Sequence, residues 1–325
     1  MGSDSDIRVD YDLHGIRLAT WAGREDVRQA LDRRLARHRV NASVAPHLRL
    51  RFLSDMVDAS VRDPDGAWRT VYEPVSGTVR HHPEADILSA QVSGVRMYAD
   101  LRAGIGFIAG GKWGATQLYA AVHTLTTIVL MEALKRHARF ALHAACLSRD
   151  GRAVLIAGAS GAGKTTLALA LALAGLDFLS DDLVFLQPRG NGPVRVLGFA
   201  DAVGITTRTQ RLLPELGAGS DRAAEPGFPK RLHRMEDLVA TRIVTAGEPF
   251  AVVFPDTTGS QRGRLEPLDP GDALLRLVPD VLLTDAARSR AHLAAIADLT
   301  GQVSCHRLVR CRDLHASARL VCSLL

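Results

Sequence analysis

Cysteine is scarce in this chain, and its few occurrences form no site. The 325 residues contain four cysteines, with no Cys-x-x-Cys pair and no histidine at zinc-ligand spacing. This pattern argues against a zinc site or a disulfide framework, and it predicts reduced thiols in a cytoplasmic protein. The four cysteines are scattered: Cys146, Cys305, Cys311 and Cys322.

Aromatic residues and long apolar runs are also scarce. Aromatic residues make up 5% of the chain, although 47% of all residues are hydrophobic, which is enough for one large core or two smaller ones. No apolar run reaches the length that spans a bilayer, and no secretion signal is visible at the first residues. We therefore expect a cytoplasmic protein that does not contact membranes.

Lysine is nearly absent, because 36 of the 40 basic residues are arginine. Base-composition bias of the genome explains such a preference most simply. The formal net charge is +5 and the basic residues are spread rather than grouped. This predicts an affinity for phosphorylated or acidic ligands and not for nucleic acid. Among the four lysines, Lys164 lies in a glycine-rich motif, and Lys230 becomes a second candidate.

The glycine-rich motif Gly-Ala-Ser-Gly-Ala-Gly-Lys-Thr, residues 158–165, fits the phosphate-loop pattern G-x-x-x-x-G-K-[ST]. The apolar run 153–157 predicts a buried strand before it, and the helix formers of 166–174 predict a helix after it. Amides at such a turn and the helix dipole favour phosphate binding. ATP and Mg²⁺ are the predicted cofactors, with Lys164 on the β- and γ-phosphates and Thr165 on the metal. The predicted nucleotide-binding residues are Gly158, Ala159, Ser160, Gly161, Ala162, Gly163, Lys164, Thr165 and Thr166.

The pattern of hydrophobic residues divides the chain near residue 138. Residues 1–138 predict a β-rich lobe, with an antiparallel meander between 47 and 108 and a core helix over 115–138. Residues 139–325 begin with a strand over 140–148, followed by an Asp150-Gly151 turn that predicts a hairpin into the strand of the glycine motif. The shorter predictions are strands within 7–20 and 250–254 and helices over 24–38, 271–278 and 288–299.

Two adjacent carboxylates, Asp181 and Asp182, follow the motif where the next predicted strand ends. One can hold Mg²⁺, and the other can take the proton from an attacking hydroxyl. Adjacent strand residues point to opposite faces, so the pair shares one site only if the backbone turns there. A solvated turn without function is the alternative.

Phosphoryl transfer also needs a cation for the charge of the transition state. The candidates lie in or beside the turn-rich stretch 214–230, which we expect to be a functional lid, with a tolerated surface insertion as the alternative. Each candidate taken alone is better explained as a surface charge. They are Arg208, Arg211, Lys230, Arg231 and Arg234.

Residues 140–186 resemble the catalytic domain of the HPr kinase/phosphorylase superfamily. His143, the glycine motif and the Asp181-Asp182 pair occur in the order and spacing of that family. The resemblance implies an α/β fold: a P-loop domain of the HPr kinase and phosphoenolpyruvate carboxykinase type, with a mixed sheet and flanking helices, preceded by a β-rich α+β lobe. It also implies Asp181 as general base, Asp182 beside the metal with Thr165, and His143 as their orienting partner. Which aspartate has which role stays open.

Two departures from the bifunctional HPr enzymes shape the functional hypothesis. Thr166 stands where those enzymes have glutamate, and residues 194–200 lack their Arg-Gly-Leu-Gly-type signature. The chain is thus similar to stand-alone HPr-kinase-like proteins, including those that phosphorylate a serine of lasso peptides. This implies an ATP- and Mg²⁺-dependent kinase of a peptide or peptide-derived natural product, with residues 1–138 helping to bind the acceptor.

Three alternatives remain. They are a kinase of a small hydroxylated metabolite, a bifunctional HPr kinase/phosphorylase, and a non-catalytic nucleotide-binding regulator. Homo-oligomerisation also remains open.

Overall fold

The computed structural model describes residues 6–41, 44–54, 64–74, 76–111, 113–190, 192–217, 230–260, 263–311 and 313–325. The chain divides into two compact units. Unit 1 comprises Met1–His137 and Leu282–Ser289, and unit 2 comprises Ala138–Val281 and Arg290–Leu325. A short segment from the C-terminal half therefore belongs to unit 1. Within 214–230, the predicted lid, residues 218–229 lie outside the described residues.

Unit 1 is built on one nine-stranded sheet with the order β3-β1-β2-β4-β9-β8-β7-β6-β5. Its strands are β1 (Ile7–Leu13), β2 (Ile16–Ala22), β3 (Arg39–Val40), β4 (Leu48–Leu53), β5 (Arg69–Tyr72), β6 (Gly77–His82), β7 (Ile87–Val92), β8 (Val95–Asp100) and β9 (Ile105–Ala109). Strands β5 to β9 form the predicted antiparallel meander. The prediction was wrong for β4, which pairs in parallel with both β2 and β9. The reason is the helix between β2 and β4, since parallel neighbours need such a crossover.

Helices cover one face of this sheet. They are α1 (Glu25–Leu35), α2 (Ala115–Tyr119) and α3 (Thr126–Lys135), with a 3-10 turn at Ala36–His38 and a π-helical segment, Ala120–Leu125, joining α2 to α3. Strand β4 shows the division of the faces, because Leu48, Leu50 and Phe52 are buried while Arg49 and Arg51 are exposed. The opposite face of the sheet therefore carries the polar side chains.

The continuous helix Ala115–Lys135 corrects one expectation. By length and composition alone it is long and apolar enough to cross a membrane, although the sequence predicted no such segment. In the structure, 61% of its most apolar 18-residue window is buried inside the protein. Its residues Val122, Leu125 and Val129 are fully buried. The helix thus occupies the core position that its spacing of apolar residues predicted.

Charged groups attach the segment Leu282–Ser289 to α3. The Glu132 carboxylate is fully buried and pairs with Lys135 and Arg136. Lys135 also donates to the Leu282 carbonyl at 2.7 Å, and Thr284 donates to Glu132 at 2.6 Å. Each buried charge therefore has a partner, which such burial requires.

Unit 2 contains a mixed sheet along the path β10-β14-β15-β18-β12-β11-β13, with β20 beside β18 and β19 beside β20. Strands β16 and β17 form a separate pair. The strands are β10 (Phe140–Leu142), β11 (Ala144–Arg149), β12 (Arg152–Ala157), β13 (Asp177–Ser180), β14 (Val184–Arg189), β15 (Gly192–Gly198), β16 (Val203–Ile205), β17 (Arg231–His233), β18 (Ala246–Ser260), β19 (Arg264–Pro267) and β20 (Ser304–Cys311). The parallel pairs are β12 with β18 and β18 with β20.

Helices pack on both faces of this sheet. They are α4 (Lys164–Leu173), α5 (Thr207–Leu212), α6 (Met235–Leu238), α7 (Pro270–Leu277), α8 (Ala286–Gln302), which begins inside the unit 1 segment, and α9 (Leu314–Cys322), with a 3-10 turn at Val278–Asp280. Alternate residues of β12 belong to two different cores. Ile156 lies in the same core as Leu167 of α4, and Leu155 lies in the other core together with Ile296 of α8. The protein is therefore a mixed α/β protein with large mixed sheets and flanking helices.

The local predictions in unit 2 hold with one exception. The Asp150-Gly151 turn joins β11 to β12 as an antiparallel hairpin, with φ of 51° and 81°. The predicted strand over 140–148 is interrupted at His143, because β10 pairs with β14 while β11 pairs with β12 and β13. The predicted strand 250–254 lies within β18, and the two predicted C-terminal helices are α7 and α8.

Candidate active site

A sharp turn joins strand β12 to helix α4 through the glycine motif. Gly158 has φ of 138° and Gly163, the residue before α4, has φ of 87°. Residues with side chains rarely adopt such values, so glycine is required at both positions. The Ala162 amide closes the turn on the Ala159 carbonyl at 3.1 Å. The first turn of α4 consequently presents its amides next to this loop, as an anion site needs.

The Lys164 side chain folds back over the loop. Its Nζ donates to the carbonyls of Gly158 at 2.8 Å and Ala159 at 3.4 Å. The residue is buried, at 8% exposure. A positive charge is thus held inside the loop, where it adds to the potential of the helix N-terminus.

The backbone turns at Asp181 and Asp182, which is the condition under which both carboxylates can belong to one site. Asp181 and Asp182 lie between β13 and β14. The buried Ser180 hydroxyl holds this turn: its Oγ lies 2.7 Å from the Leu183 carbonyl and 2.9 Å from the Phe199 carbonyl, and it accepts the Leu183 amide at 3.3 Å. Sequence reasoning missed Ser180, because a lone serine carries no motif.

Asp181 is the buried member of the pair and contacts the glycine motif. Thr165 Oγ1 donates to Asp181 Oδ2 at 3.2 Å, while Asp181 Oδ1 is buried without a hydrogen-bond partner among the described residues. Burial first, and the charge of Asp182 second, raise the pKa of Asp181 to about 7, against the opposing effects of Thr165, Lys230 and Lys164. A cation next to Oδ1 would reverse this effect of burial.

Asp182 is exposed and has a different partner. Its Oδ1 lies 3.1 Å from His143 Nδ1, with the Asp182 side chain 75% exposed and that of His143 34% exposed. The two aspartates therefore occupy contrasting environments. The resemblance implied Thr165 and Asp182 together beside the metal, whereas the hydrogen bond of Thr165 goes to Asp181.

Lys230 is connected electrostatically to Asp181, since its charge lowers the pKa of that carboxyl. Its aliphatic stem packs against Gly204 of β16, where an added Cβ would lie 2.9 Å from Lys230 Cδ. The other candidate cations are placed on neighbouring elements: Arg208 and Arg211 on α5, Arg231 on β17 and Arg234 directly before α6.

A chain of hydroxyls that the sequence did not reveal links the glycine motif to α5. Thr166 Oγ1 lies 3.2 Å from Thr209 Oγ1, which lies 3.1 Å from Thr206 Oγ1. Thr206 also caps α5 by accepting the Thr209 amide at 3.1 Å. Thr166, the residue that departs from the bifunctional HPr enzymes, thereby holds α5 against the start of α4.

The donor atoms near Thr165 suit magnesium better than a metal held by protein ligands alone. No cluster of three or more His, Cys, Asp or Glu able to hold a metal occurs in the described part of the chain. Magnesium is usually bound by one or two carboxylates together with water and substrate phosphates. The Thr165 hydroxyl and the buried Asp181 carboxylate, with its unpartnered Oδ1, fit that requirement.

Comparison with known proteins gives matches among solved structures only. No family model matches the chain, and no curated protein does. Among solved structures, the Hpr(Ser) kinase/phosphatase from Coxiella burnetii aligns with a TM-score of 0.30 and 15% identity, over 56% of this chain and 94% of that one. At these values the likeness carries no argument about this chain, and the functional argument rests on the site.

Proposed function

We propose that the chain is an ATP- and Mg²⁺-dependent kinase of the HPr-kinase-like type, which transfers the γ-phosphoryl group to a hydroxyl of a peptide or peptide-derived natural product. The observation that carries the proposal is the hydrogen bond from Thr165 to the buried Asp181, beside Lys164 at the N-terminus of α4. A hydroxyl, a carboxylate, an ammonium and helix amides converge there, which is the set of groups that phosphoryl transfer requires.

The buried half of the site would bind the nucleotide. The amides of the loop and Lys164 would hold the phosphates, and Thr165 with Asp181 would hold Mg²⁺. Bound Mg²⁺–ATP supplies the electrophilic phosphorus and neutralises the phosphate charge. Burial and the charge of Asp182 raise the pKa of Asp181 to about 7, and a bound cation would favour its charged form.

The exposed half of the site would act on the acceptor. Asp182 would take the proton of the acceptor hydroxyl, and His143 would orient this carboxylate through its Nδ1 contact at 3.1 Å. Lys230 would stabilise the charge that develops on the transferred group. This allocation exchanges the two aspartate roles that the family resemblance implied, because Thr165 bonds to Asp181.

Nucleotide binding and transfer can be measured separately. Binding of a fluorescent ATP analogue should depend on Mg²⁺ and be lost in Lys164→Ala, with Lys112→Ala as a lysine control outside the motif. Transfer from γ-labelled ATP should be tested against pooled serine- and threonine-containing peptides and, in parallel, pooled hydroxylated metabolites, with mass spectrometry to identify the product. Nucleotide binding that is unchanged in Lys164→Ala would refute the proposal.

The same measurements separate the alternatives. Labelling confined to the metabolite pool would identify a small-molecule kinase. Phosphate-dependent removal of a phosphoryl group from a phosphoserine protein would identify a bifunctional enzyme. Mg²⁺-dependent nucleotide binding with no transfer to either pool would favour a regulator.

A further inference from the structure

A large cleft lies on the polar face of the unit 1 sheet, away from the helices. It has a volume of about 830 Å³ and is lined by strands β6 to β9. Strand register places its side chains in two rows on that face. One row is Arg80, Ser89, Tyr98 and Phe107, and the other is Thr78, Gln91, Arg96 and Ala109. We name this surface, defined by the two rows, the sheet cleft.

The charge of the sheet cleft has one sign. Among the described residues, its lining includes Arg80 and Arg96 and no aspartate or glutamate. Both arginines are exposed, and in the described part of the chain neither forms an ion pair. The Arg80 guanidinium lies 5.2 Å from the centre of the Trp68 ring. Such stacking holds a guanidinium in place while its N–H edge stays free to bind a carboxylate.

The spacing of these arginines matches an extended peptide. Arg80 lies on β6 and Arg96 on β8, with β7 between them, and Arg96 is two residues along β8 from Tyr98, which shares the row of Arg80. With ordinary sheet spacings, the Cα atoms of the two arginines are therefore separated by about 12 Å. Side chains four residues apart on an extended chain are separated by about 13 Å. Two acidic residues with three residues between them would therefore reach both guanidinium groups at once.

We propose that the sheet cleft binds an acidic, extended segment of the peptide acceptor. Arg80 and Arg96 would each hold one carboxylate, Ser89 and Gln91 would bond to the peptide backbone, and the half-buried rings of Tyr98 and Phe107 would contact its apolar groups. The inference rests on the proposed function only in identifying the peptide as the acceptor. Recognition of the acidic segment itself does not depend on phosphoryl transfer.

A single-stranded nucleic acid fits the same surface less well. Such ligands need a basic groove that follows successive phosphates and rings exposed for stacking. The sheet cleft offers two arginines, and its rings, Tyr98 and Phe107, are adjacent across strands and half buried. An acidic peptide is thus the ligand that the observations favour.

The test is fluorescence anisotropy with labelled peptides of glycine and serine that carry two glutamates four positions apart. Peptides with glutamine at the same two positions and an oligothymidylate are the comparison ligands. We expect the glutamate peptide to bind about tenfold more tightly than the glutamine peptide at low salt, since only the carboxylates form charge-assisted hydrogen bonds with the two guanidinium groups. Added salt should reduce the difference.

Arg80→Gln/Arg96→Gln should remove the preference for glutamate. Arg69→Gln is the matched control, because Arg69 is exposed on β5, pairs with His81 and so lies on the other face from Arg80. Equal binding of the two peptides, or equal loss in Arg69→Gln, would overturn the proposal. Tighter oligothymidylate binding that requires Arg80 and Arg96 would overturn it in favour of nucleic acid.

The outcome is separable from that of the proposed function. Arg80→Gln/Arg96→Gln should bind the fluorescent ATP analogue as the unaltered protein does, which also shows that it is folded. Lys164→Ala should lose nucleotide binding and keep the preference for the glutamate peptide. Loss of this preference in Lys164→Ala would contradict the assignment of peptide recognition to the sheet cleft alone.

Discussion

Thr165 and Asp181 are joined by a hydrogen bond of 3.2 Å, from the first turn of α4 to the turn that follows β13. Sixteen positions separate them in the chain. The contact brings a hydroxyl of the glycine motif to a buried carboxylate, while the adjacent Asp182 turns outward to His143. The two aspartates therefore differ in burial and in partner, and the difference predicts separate effects on binding and on turnover.

Replacing each aspartate by asparagine should separate the effect on nucleotide binding from the effect on turnover. Asp182→Asn should lower kcat by about 10²-fold or more, the usual contribution of a positioned base, with little change in nucleotide affinity. Asp181→Asn should weaken Mg²⁺-dependent nucleotide binding, because it removes the carboxylate that we propose to hold the metal. Titration with the fluorescent ATP analogue and initial-rate kinetics measure the two quantities. If Asp181→Asn spares binding and Asp182→Asn abolishes it, the roles are those that the family resemblance implied.

The buried carboxyl of Asp181 should also make stability depend on pH. Its pKa is raised from 3.8 to about 7, so its favourable contribution is complete below pH 3.8 and is lost as the pH rises through 7. Asp181→Asn removes the ionisable group. Without nucleotide or Mg²⁺, the variant should therefore exceed the unaltered protein in Tm by less at pH 5 than at pH 8, where the difference should reach several degrees.

Thermal unfolding at both pH values tests this, with Asp182→Asn as the exposed control. The expected gain corresponds to about 4 kcal/mol at most, from 1.36 kcal/mol per pKa unit. Since about 1 kcal/mol changes Tm by roughly 2–4 °C in domains of this size, the difference is measurable. An equal Tm difference at pH 5 and pH 8 would contradict the prediction.

The pKa of Asp86, in the core of unit 1, is shifted in the opposite direction to that of Asp181. Burial alone would raise its pKa, but hydrogen bonds from His81 and Arg136 and the charges of Arg136 and Arg288 hold it well below the usual range. The stability that it contributes is thus present above its ordinary pKa of 3.8 and is lost as the pH falls below that value. Asp86→Asn should destabilise the protein at pH 7 by about 1–3 kcal/mol, because the buried Arg136 loses one of its two carboxylate partners and keeps Glu132.

Chemical denaturation of Asp86→Asn at pH 7 and at pH 3.5 checks both statements. The difference from the unaltered protein should shrink at the lower pH. Asp100→Asn is a suitable control, since Asp100 lies at the end of β8 and is only half buried. A variant as stable as the unaltered protein at pH 7 would show that the ion pairs of Asp86 contribute nothing net.

Much of the fold was predictable, because it follows from local periodicity and turn chemistry. The helix after the glycine motif and the hairpin at Asp150-Gly151 are examples. The parallel placement of β4 and the break at His143 were not predictable, since both depend on which distant strands pair. The same holds for the site: residue types and spacing indicated Asp181, whereas its partner Thr165, its burial and the support from Ser180 follow from the tertiary fold.

The contact between Lys230 and Gly204 allows the role of the lysine to be tested by a substitution at the glycine. Gly204 faces the Lys230 stem, and a Cβ there would lie 2.9 Å from Lys230 Cδ and 3.5 Å from its Cβ. The nearest atoms belong to a flexible side chain, so Gly204→Ala should move the lysine without unfolding the strand. We expect Gly204→Ala to lower kcat in the same direction as Lys230→Ala, with a smaller effect on nucleotide affinity in both.

A double-mutant cycle decides whether Gly204→Ala and Lys230→Ala lower kcat through the same cause, the loss of the ammonium group from its position. If Gly204→Ala acts by displacing the ammonium group, it should have no further effect in the Lys230→Ala background, because residues that share one function are not additive. Thermal unfolding of each variant controls for damage to β16 and β17. Full additivity of the two losses in kcat would show that Gly204 acts independently of Lys230, and an unchanged kcat in Lys230→Ala would remove Lys230 from the reaction altogether.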